Sequence, residues 1–168
     1  RVSVNVSPRQ FESDAFGRLV ADILLETGLP PQSLELELTE SLIVRNVGHA
    51  LSLMTELKQI GVLISIDDFG SGYSSLNYLR QFPLDFLKID RSFVSHLGTN
   101  KKDAAIVETI IILASKLEIH VVAEGVESLA QADFLRDAHC DELQGFLFGK
   151  PVPADALESM LGAIQEKK

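Results

Sequence analysis

The sequence predicts an α/β fold built around a parallel β-sheet, and two patterns support this prediction. Short apolar or alternating segments typical of strands are separated by longer segments whose apolar residues recur at helical spacing. The connections are short, and no linker, repeat or low-complexity stretch interrupts the alternation. Because strands separated by helices pair in parallel through right-handed crossovers, we expect about six strand–helix units around one core.

Each element is predicted from a local signal. Residues 1–7 carry a valine at every second position, which is the period of a strand. Residues 13–27 have apolar side chains at helical spacing, and Gly28 follows as a stop signal. The same criteria predict strands at 34–39, 62–67, 84–90, 119–123 and 143–148, and helices at 47–60, 74–81, 102–117, 129–138 and 154–165.

Composition limits the possible partners. The chain has 168 residues, a net charge of −9 and a pI near 4.8, so we expect neither a nucleic-acid polymer nor an anionic membrane surface as partner. The single cysteine, Cys140, allows no internal disulfide and is typical of a reducing, cytoplasmic compartment. No run of 18 apolar residues and no signal peptide are recognisable, and an abrupt start on a strand suggests that upstream sequence is missing.

Residues 61–73 hold the most informative pattern. A short apolar run typical of a buried strand leads into adjacent carboxylates, Asp67 and Asp68, and then into a loop containing Gly70 and Gly72. Two carboxylates so close together repel each other unless a cation is present. The alternative, taken on this segment alone, is a pair of loop aspartates that cap the next helix.

Polar side chains follow nearly every predicted strand. They are Asn5, Glu37 and Glu40, Asp67 and Asp68, Lys88 and Asp90, Glu124 and Glu127, and Gln144. The alternation alone permits a doubly wound sheet or a barrel, but no glycine-rich turn follows the first strand, and a parallel barrel would bring all these residues to one mouth. Carboxylate and amide oxygens favour hard cations, Mg²⁺ or Mn²⁺, and two such ions can activate water against a phosphodiester.

Each of these signals has a simpler explanation. The strand at 34–39 can be half exposed with solvated glutamates, and Glu124 with Glu127 can simply begin a helix. Lys88 lies between apolar neighbours, where a lysine is costly unless carboxylates pair with it. It is therefore either part of a structural ion pair or a site residue.

Together these segments resemble the EAL-domain family of cyclic di-GMP phosphodiesterases. The matching motifs, in order and at the family's spacing, are Val4-Asn5-Val-Ser7 with Gln10, Glu37-Leu-Thr-Glu40, Asp67-Asp68-Phe-Gly-Ser-Gly-Tyr-Ser-Ser-Leu76, Leu87-Lys88-Ile-Asp90, Val122-Ala-Glu124-Gly-Val-Glu127, and Cys140-Asp-Glu-Leu-Gln144-Gly-Phe-Leu-Phe-Gly-Lys150-Pro151. The match runs from the first residue to about Pro153. The resemblance implies that residues 1–168 are one EAL-type domain, a TIM-like (β/α) barrel that is incomplete because its N-terminal strands are missing.

The resemblance also implies a role for each matching residue. The implied metal ligands for two Mg²⁺ or Mn²⁺ ions are Asn5, Glu37, Asp67, Asp68 and Glu124. Lys88 would hold or help deprotonate the attacking water, with Glu127, Gln144 and Asp68 completing the catalytic group. Glu40 would anchor the loop after Asp68, and Asp90, Gln10 and Pro151 would contact the substrate. The expected product is linear pGpG, and Ca²⁺ is expected to inhibit.

Two departures from the family pattern affect these expectations. The Glu-Ala-Leu motif, whose glutamate is a metal ligand and whose following arginine contacts phosphate, should precede Asn5 and is absent from the sequence. His139 stands where glycine is common, and Phe146 where tyrosine is common. An open barrel exposes sheet edges, so we expect a homodimer, and we expect fusion to sensory or diguanylate-cyclase-like domains.

The sequence is compatible with two rival functions. One is a non-catalytic cyclic di-GMP receptor or regulatory dimerisation module, favoured by the absent glutamate and arginine. The other is a magnesium-dependent barrel enzyme that abstracts a proton next to a carboxylate with Lys88 as base. The second rival does not explain the Asp-Phe-Gly-Ser-Gly-Tyr loop.

Overall fold

A computed structural model describes residues 1–70 and 79–165, with side chains left undescribed at Ser159 and at 161–165. The strands are β1 Val2–Asn5, β2 Leu34–Thr39, β3 Leu63–Phe69, β4 Phe86–Ile89, β5 His120–Ala123 and β6 Glu142–Leu143. The helices are α1 Pro8–Phe11, α2 Phe16–Thr27, α3 Glu40–Arg45, α4 Val47–Ile60, α5 Arg91–Val94, α6 Lys101–Lys116, α7 Leu129–Asp137 and α8 Ala154–Gln165, and a 3₁₀ turn covers Pro31–Ser33.

The strands form one parallel sheet in the order β1-β2-β3-β4-β5-β6. A doubly wound sheet reverses its strand order part-way, whereas a barrel adds each new strand beside the last. The sheet is also curled, because Arg1, just before β1, forms an ion pair with Glu142 on β6 at 2.5 Å. The described residues therefore form an incomplete barrel, and the predicted fold class is confirmed.

The two faces of the sheet differ in polarity. The outer face carries Leu36, Leu38, Ile64, Ile66 and Leu87, all buried beneath the helices. They form one apolar core with α2, α4, α6 and α7, whose largest buried members include Met54, Leu57, Val107 and Leu135. The inner, concave face instead carries charged side chains, so the sheet directs its chemistry toward the inside of the curl.

Helices α2 and α4 end where the sequence predicts. Gly28 and Gly61 follow them with φ angles of 68° and 97°. This left-handed conformation suits glycine, and it ends a helix by letting its amide donate to a carbonyl of the last turn. Both stops return the chain toward the sheet.

Several sequence predictions need correction. The last strand is only Glu142–Leu143, not 143–148, because the chain then turns and Leu147 N–H donates to Val126 O at 3.0 Å. The strand expected at 84–90 is shortened to Phe86–Ile89, and the four-residue helices α1 and α5 and the six-residue α3 were not predicted. The helix expected at 74–81 lies almost entirely outside the described residues. Among those described, no helix has the length and apolarity needed to cross a membrane.

Candidate active site

Lys88 lies at the centre of a cluster of acidic side chains on the concave face. Its Nζ is 2.7 Å from Glu37 Oε1, 2.6 Å from Glu124 Oε1 and 3.9 Å from Asp67 Oδ1. The Lys88 side chain is 6% exposed, and those of Glu37, Asp67 and Glu124 are 7%, 14% and 21% exposed. The sheet thus buries one ammonium among three carboxylates.

Strand register explains why these side chains meet. Glu37 pairs with Ser65, and Lys88 pairs with Val122, while Asp67 and Glu124 lie two residues further along their chains. Since side chains alternate between the faces of a strand, residues two apart share a face. All four side chains therefore point into the curl near the carboxyl ends of neighbouring strands. The hypothesis that the glutamates of β2 are solvated is wrong, because Glu35 and Glu37 are both buried.

The cluster has more negative than positive charge. Burial by itself would lower the pKa of Lys88, but its hydrogen bonds with Glu124 and Glu37 outweigh burial and raise the pKa. Burial also raises the pKa of Glu124, and repulsion from Asp67 and Glu37 acts in the same direction against the attraction of Lys88. One lysine therefore does not fully compensate the acids around it.

The Asp67–Asp68 pair lies at an irregularity in β3. The register of β3 against β4 shifts between Ile66 and Phe69, and Asp68 has a φ of 56°. The strand therefore continues past both aspartates, whereas the sequence suggested that it ends there. Asp68 lies beside Asp90, and burial, repulsion from Asp67 and the contact with Asp90 raise its pKa.

Glu40, the residue expected to anchor the loop after Asp68, is hydrogen-bonded to the first residue after β3. Its Oε2 accepts a hydrogen bond from Gly70 N–H at 3.0 Å, and its Oε1 is buried with no hydrogen-bond partner in the part of the chain described. Gly70 has a φ of 94°, and a Cβ there would lie 2.9 Å from Cε2 of Phe93. Residues 71–78 of the expected loop lie outside the described ranges, so only its first turn is seen.

Other residues singled out from the sequence lie at the same end of the sheet with exposed side chains. Asn5 ends β1 opposite Glu37, and Glu127, Gln144 and Pro151 lie in the loops after β5 and β6. None of these side chains is hydrogen-bonded to Lys88 within 1–70 and 79–165. Gln10 uses its amide oxygen locally, accepting from Ser7 N–H and Oγ–H at 3.0 and 2.7 Å.

The donor chemistry of the cluster fits a hard divalent cation. Its members offer only carboxylate oxygens, and their excess negative charge is what a cation would offset. In this structure, however, the oxygens gather on the Lys88 ammonium, and no three His, Cys, Asp or Glu side chains within the described ranges are placed to hold one ion. Glu37, Asp67 and Glu124 are the side chains of this cluster that could hold such a cation.

The concave face carries another buried acid, Glu35, which the sequence did not single out. Glu35 precedes Glu37 by two residues on β2, and its Oε2 lies 2.9 Å from Arg1 Nε. The Arg1 guanidinium also stacks 4.0 Å from the centre of the Phe86 ring. The alternation of residues 34–39 would be the same whether the glutamates faced solvent or the interior of a barrel. No local signal therefore predicts that Glu35 is buried.

Comparison with known proteins decides the family. The model of the EAL domain family matches residues 1–151. The chain belongs to the EAL domain family. This EAL chain is 45% identical over 165 residues to the cyclic di-GMP phosphodiesterase NbdA of Pseudomonas aeruginosa, covering 98% of this chain and 21% of that protein. It spans about a fifth of the length of the curated relatives it matches.

Solved EAL structures match the fold closely. The complex of PaMucR phosphodiesterase with c-di-GMP is 46% identical, with a TM-score of 0.90 over 94% of this chain and 64% of that one. The manganese/cyclic di-GMP complex of Klebsiella pneumoniae BlrP1 is 32% identical, with a TM-score of 0.84 over 90% of this chain and 39% of that one.

Proposed function

We propose that this EAL chain hydrolyses cyclic di-GMP to linear pGpG in a reaction that depends on two divalent cations, Mg²⁺ or Mn²⁺. The observation that carries the proposal is the cluster of Glu37, Asp67 and Glu124 around Lys88 at the carboxyl ends of the strands. This is the edge where barrel enzymes place their chemistry. The similarity to a named cyclic di-GMP phosphodiesterase and to a manganese complex supports this substrate and a divalent cation.

The residues divide the work according to their chemistry. Glu37, Asp67 and Glu124, with Asn5 and Asp68, would hold the cations. Bound there, two divalent ions supply positive charge that activates a water and offsets the charge of the phosphodiester. Lys88 would hold the attacking water through a hydrogen bond from its ammonium.

A second group of residues would support these. Glu127 and Gln144 would complete the water network beside the attacking water. Glu40 would hold the turn at Gly70 in place, as its hydrogen bond at 3.0 Å suggests. Asp90, Gln10 and Pro151 would contact the dinucleotide.

The proposal includes expectations about ions and partners. Ca²⁺ would inhibit, because it favours larger and looser coordination than Mg²⁺ or Mn²⁺. The protein would act as a homodimer in the cytoplasm, joined to sensory or diguanylate-cyclase-like domains. Coverage of only about a fifth to a quarter of the curated relatives agrees with such a fusion.

The test is turnover of cyclic di-GMP with Mn²⁺, followed by chromatography for pGpG. Asp67→Asn keeps the size and hydrogen-bonding capacity of the side chain but removes its charge, so it serves as the matched variant. Product from the wild type that disappears in Asp67→Asn supports the proposal. Equal product from both, or none from the wild type, refutes it.

One alternative has a specific observation in its favour. Glu37 Oε1 and Glu124 Oε1 lie 2.7 and 2.6 Å from the Lys88 ammonium, so in this structure these oxygens serve the lysine rather than a cation. A non-catalytic module that binds cyclic di-GMP would then bind the dinucleotide in a calorimeter without forming pGpG.

A further inference from the structure

We propose that Gln131 is a positioning residue that fixes the loop after β4 relative to the loop after β5. The proposal rests on the proposed function, since these loops carry Asp90, Glu124 and Glu127. Gln131 itself lies in the first turn of α7, outside the acidic cluster.

The Gln131 side chain joins both loops through three hydrogen bonds. Its Oε1 accepts from Glu127 N–H at 2.8 Å and from Ser128 N–H at 2.9 Å. Its Nε2 donates to Val94 O, at the end of α5, at 3.1 Å. Because the two backbone amides can only donate, they fix Oε1 on their side and direct Nε2 toward the carbonyl.

The two loops also pack directly against each other. Gly125 has a φ of 71°, and a Cβ there would lie 2.6 Å from Cβ of Arg91, the first residue of α5. The close approach leaves no room for a side chain at 125. Gln131 thus ties together segments that are already in contact, and its hydrogen bonds set their relative position.

Each bonded loop leads to a charged group of the candidate site. On one side, Asp90 Oδ1 accepts from Ser92 N–H at 2.8 Å, so α5 and the Asp90 carboxylate beside Asp68 hold each other in place. On the other side, Glu124 begins the second loop and pairs with Lys88 at 2.6 Å. A shift of one loop against the other would change the distance between these carboxylates.

The first part of the test separates this bridge from ordinary helix capping. Gln131→Glu keeps an acceptor for Glu127 N–H and Ser128 N–H, and glutamate is favoured at this capping position. It lacks the donor to Val94 O and places a carboxylate oxygen there instead. We expect kcat to fall roughly fivefold, the factor that corresponds to the loss of one hydrogen bond of ~1 kcal/mol, with KM changed less than twofold and the melting temperature kept.

Two further variants complete the comparison. Ser128→Ala removes the hydroxyl that accepts from Gln131 N–H at 3.3 Å, so it weakens the cap and leaves the bridge. Gln131→Met weakens the cap and removes the bridge. If the bridge positions the loops, kcat falls in Gln131→Glu and Gln131→Met but not in Ser128→Ala, whereas thermal stability falls in Ser128→Ala and Gln131→Met. Gln131→Met also provides the comparison if Gln131→Glu fails to fold.

Hydrogen–deuterium exchange of residues 91–97 gives a readout that does not depend on turnover. We expect faster exchange there in both Gln131 variants than in the wild type or Ser128→Ala. A wild-type kcat in both Gln131 variants, or unchanged exchange at 91–97, overturns the inference. If the wild type hydrolyses no cyclic di-GMP, the proposed function fails, and exchange alone decides whether Gln131 positions the loops.

Discussion

Replacing Lys88 by methionine tests the electrostatic centre of the site. Methionine has nearly the same length and keeps the apolar contacts of the lysine stem, but it removes the ammonium. Glu37 Oε1 and Glu124 Oε1, at 2.7 and 2.6 Å from Nζ, then lose their cationic partner in a buried setting. Breaking a buried ion pair in this way costs about 3–5 kcal/mol, because a charge remains without compensation.

The magnitude can be measured against a matched lysine elsewhere in the chain. Lys58 pairs with Asp85 at 2.7 Å, but these side chains are 31% and 24% exposed. Since solvent screens that pair, we expect Lys58→Met to cost about 1 kcal/mol. The difference between the two variants therefore measures the effect of burial.

The assay is urea denaturation followed by circular dichroism, in a chelator-treated buffer at pH 7 and at pH 5. We expect the penalty of Lys88→Met to shrink at pH 5, because burial raises the pKa of Glu124, which takes up a proton more readily once the ammonium is gone. Adding Glu37→Gln to Lys88→Met should restore part of the stability. A cost for Lys88→Met below about 1 kcal/mol, or equal to that of Lys58→Met, would refute the view that Lys88 compensates the cluster.

Three other predictions concern single residues. Because its pKa is raised, Asp68 destabilises the fold when ionised, so stability falls as pH rises from 3.8 through the raised pKa. Asparagine tolerates the φ of 56°, so Asp68→Asn should stabilise the fold at pH 7, with the melting temperature rising about 2–4 °C for each kcal/mol gained in the free energy of unfolding. A gain in melting temperature that persists below pH 3.8 contradicts this prediction. Burial raises the pKa of Cys140 to about 11, so iodoacetamide should modify it about 100-fold more slowly at pH 8 than a free cysteine, and a rate equal to that of glutathione contradicts this. His139 has a φ of 61°, so His139→Gly should stabilise the protein by about 0.5–1 kcal/mol in urea, whereas a loss of stability would count against backbone strain there.

The sequence predicts the strands and the site best where local pattern and burial agree. The apolar run before Asp67 lies in β3 and Lys88 is buried, as the sequence predicts. Strands of a parallel sheet are covered on both faces, so their apolar runs are easy to recognise. The convergence of Glu37, Asp67 and Glu124 follows from a shared face and neighbouring strands. The meeting of these three carboxylates therefore follows from the parallel order of the strands, which the alternation of strands and helices in the sequence predicts.

Other features depend on contacts that no local pattern reveals. The segment after Leu143 is apolar enough for a strand, but Gly145 passes so close to Val126 that a Cβ would lie 2.2 Å from its carbonyl oxygen. The chain therefore turns instead of extending the sheet. The left-handed conformation of Asp68 is also hidden, because aspartate carries no signal as strong as glycine.

The most direct test of the central claim compares two neighbouring glutamates on β2. Glu37→Gln and Glu35→Gln alter equally buried side chains on the same face, but Glu37 contacts Lys88 while Glu35 pairs with Arg1. The measurement is cyclic di-GMP hydrolysis as a function of Mn²⁺ concentration. We expect Glu37→Gln to abolish Mn²⁺-dependent formation of pGpG and Glu35→Gln to retain it. Equal activity in the two variants, or hydrolysis without Mn²⁺, would contradict the assignment of this cluster as a metal-dependent phosphodiesterase site.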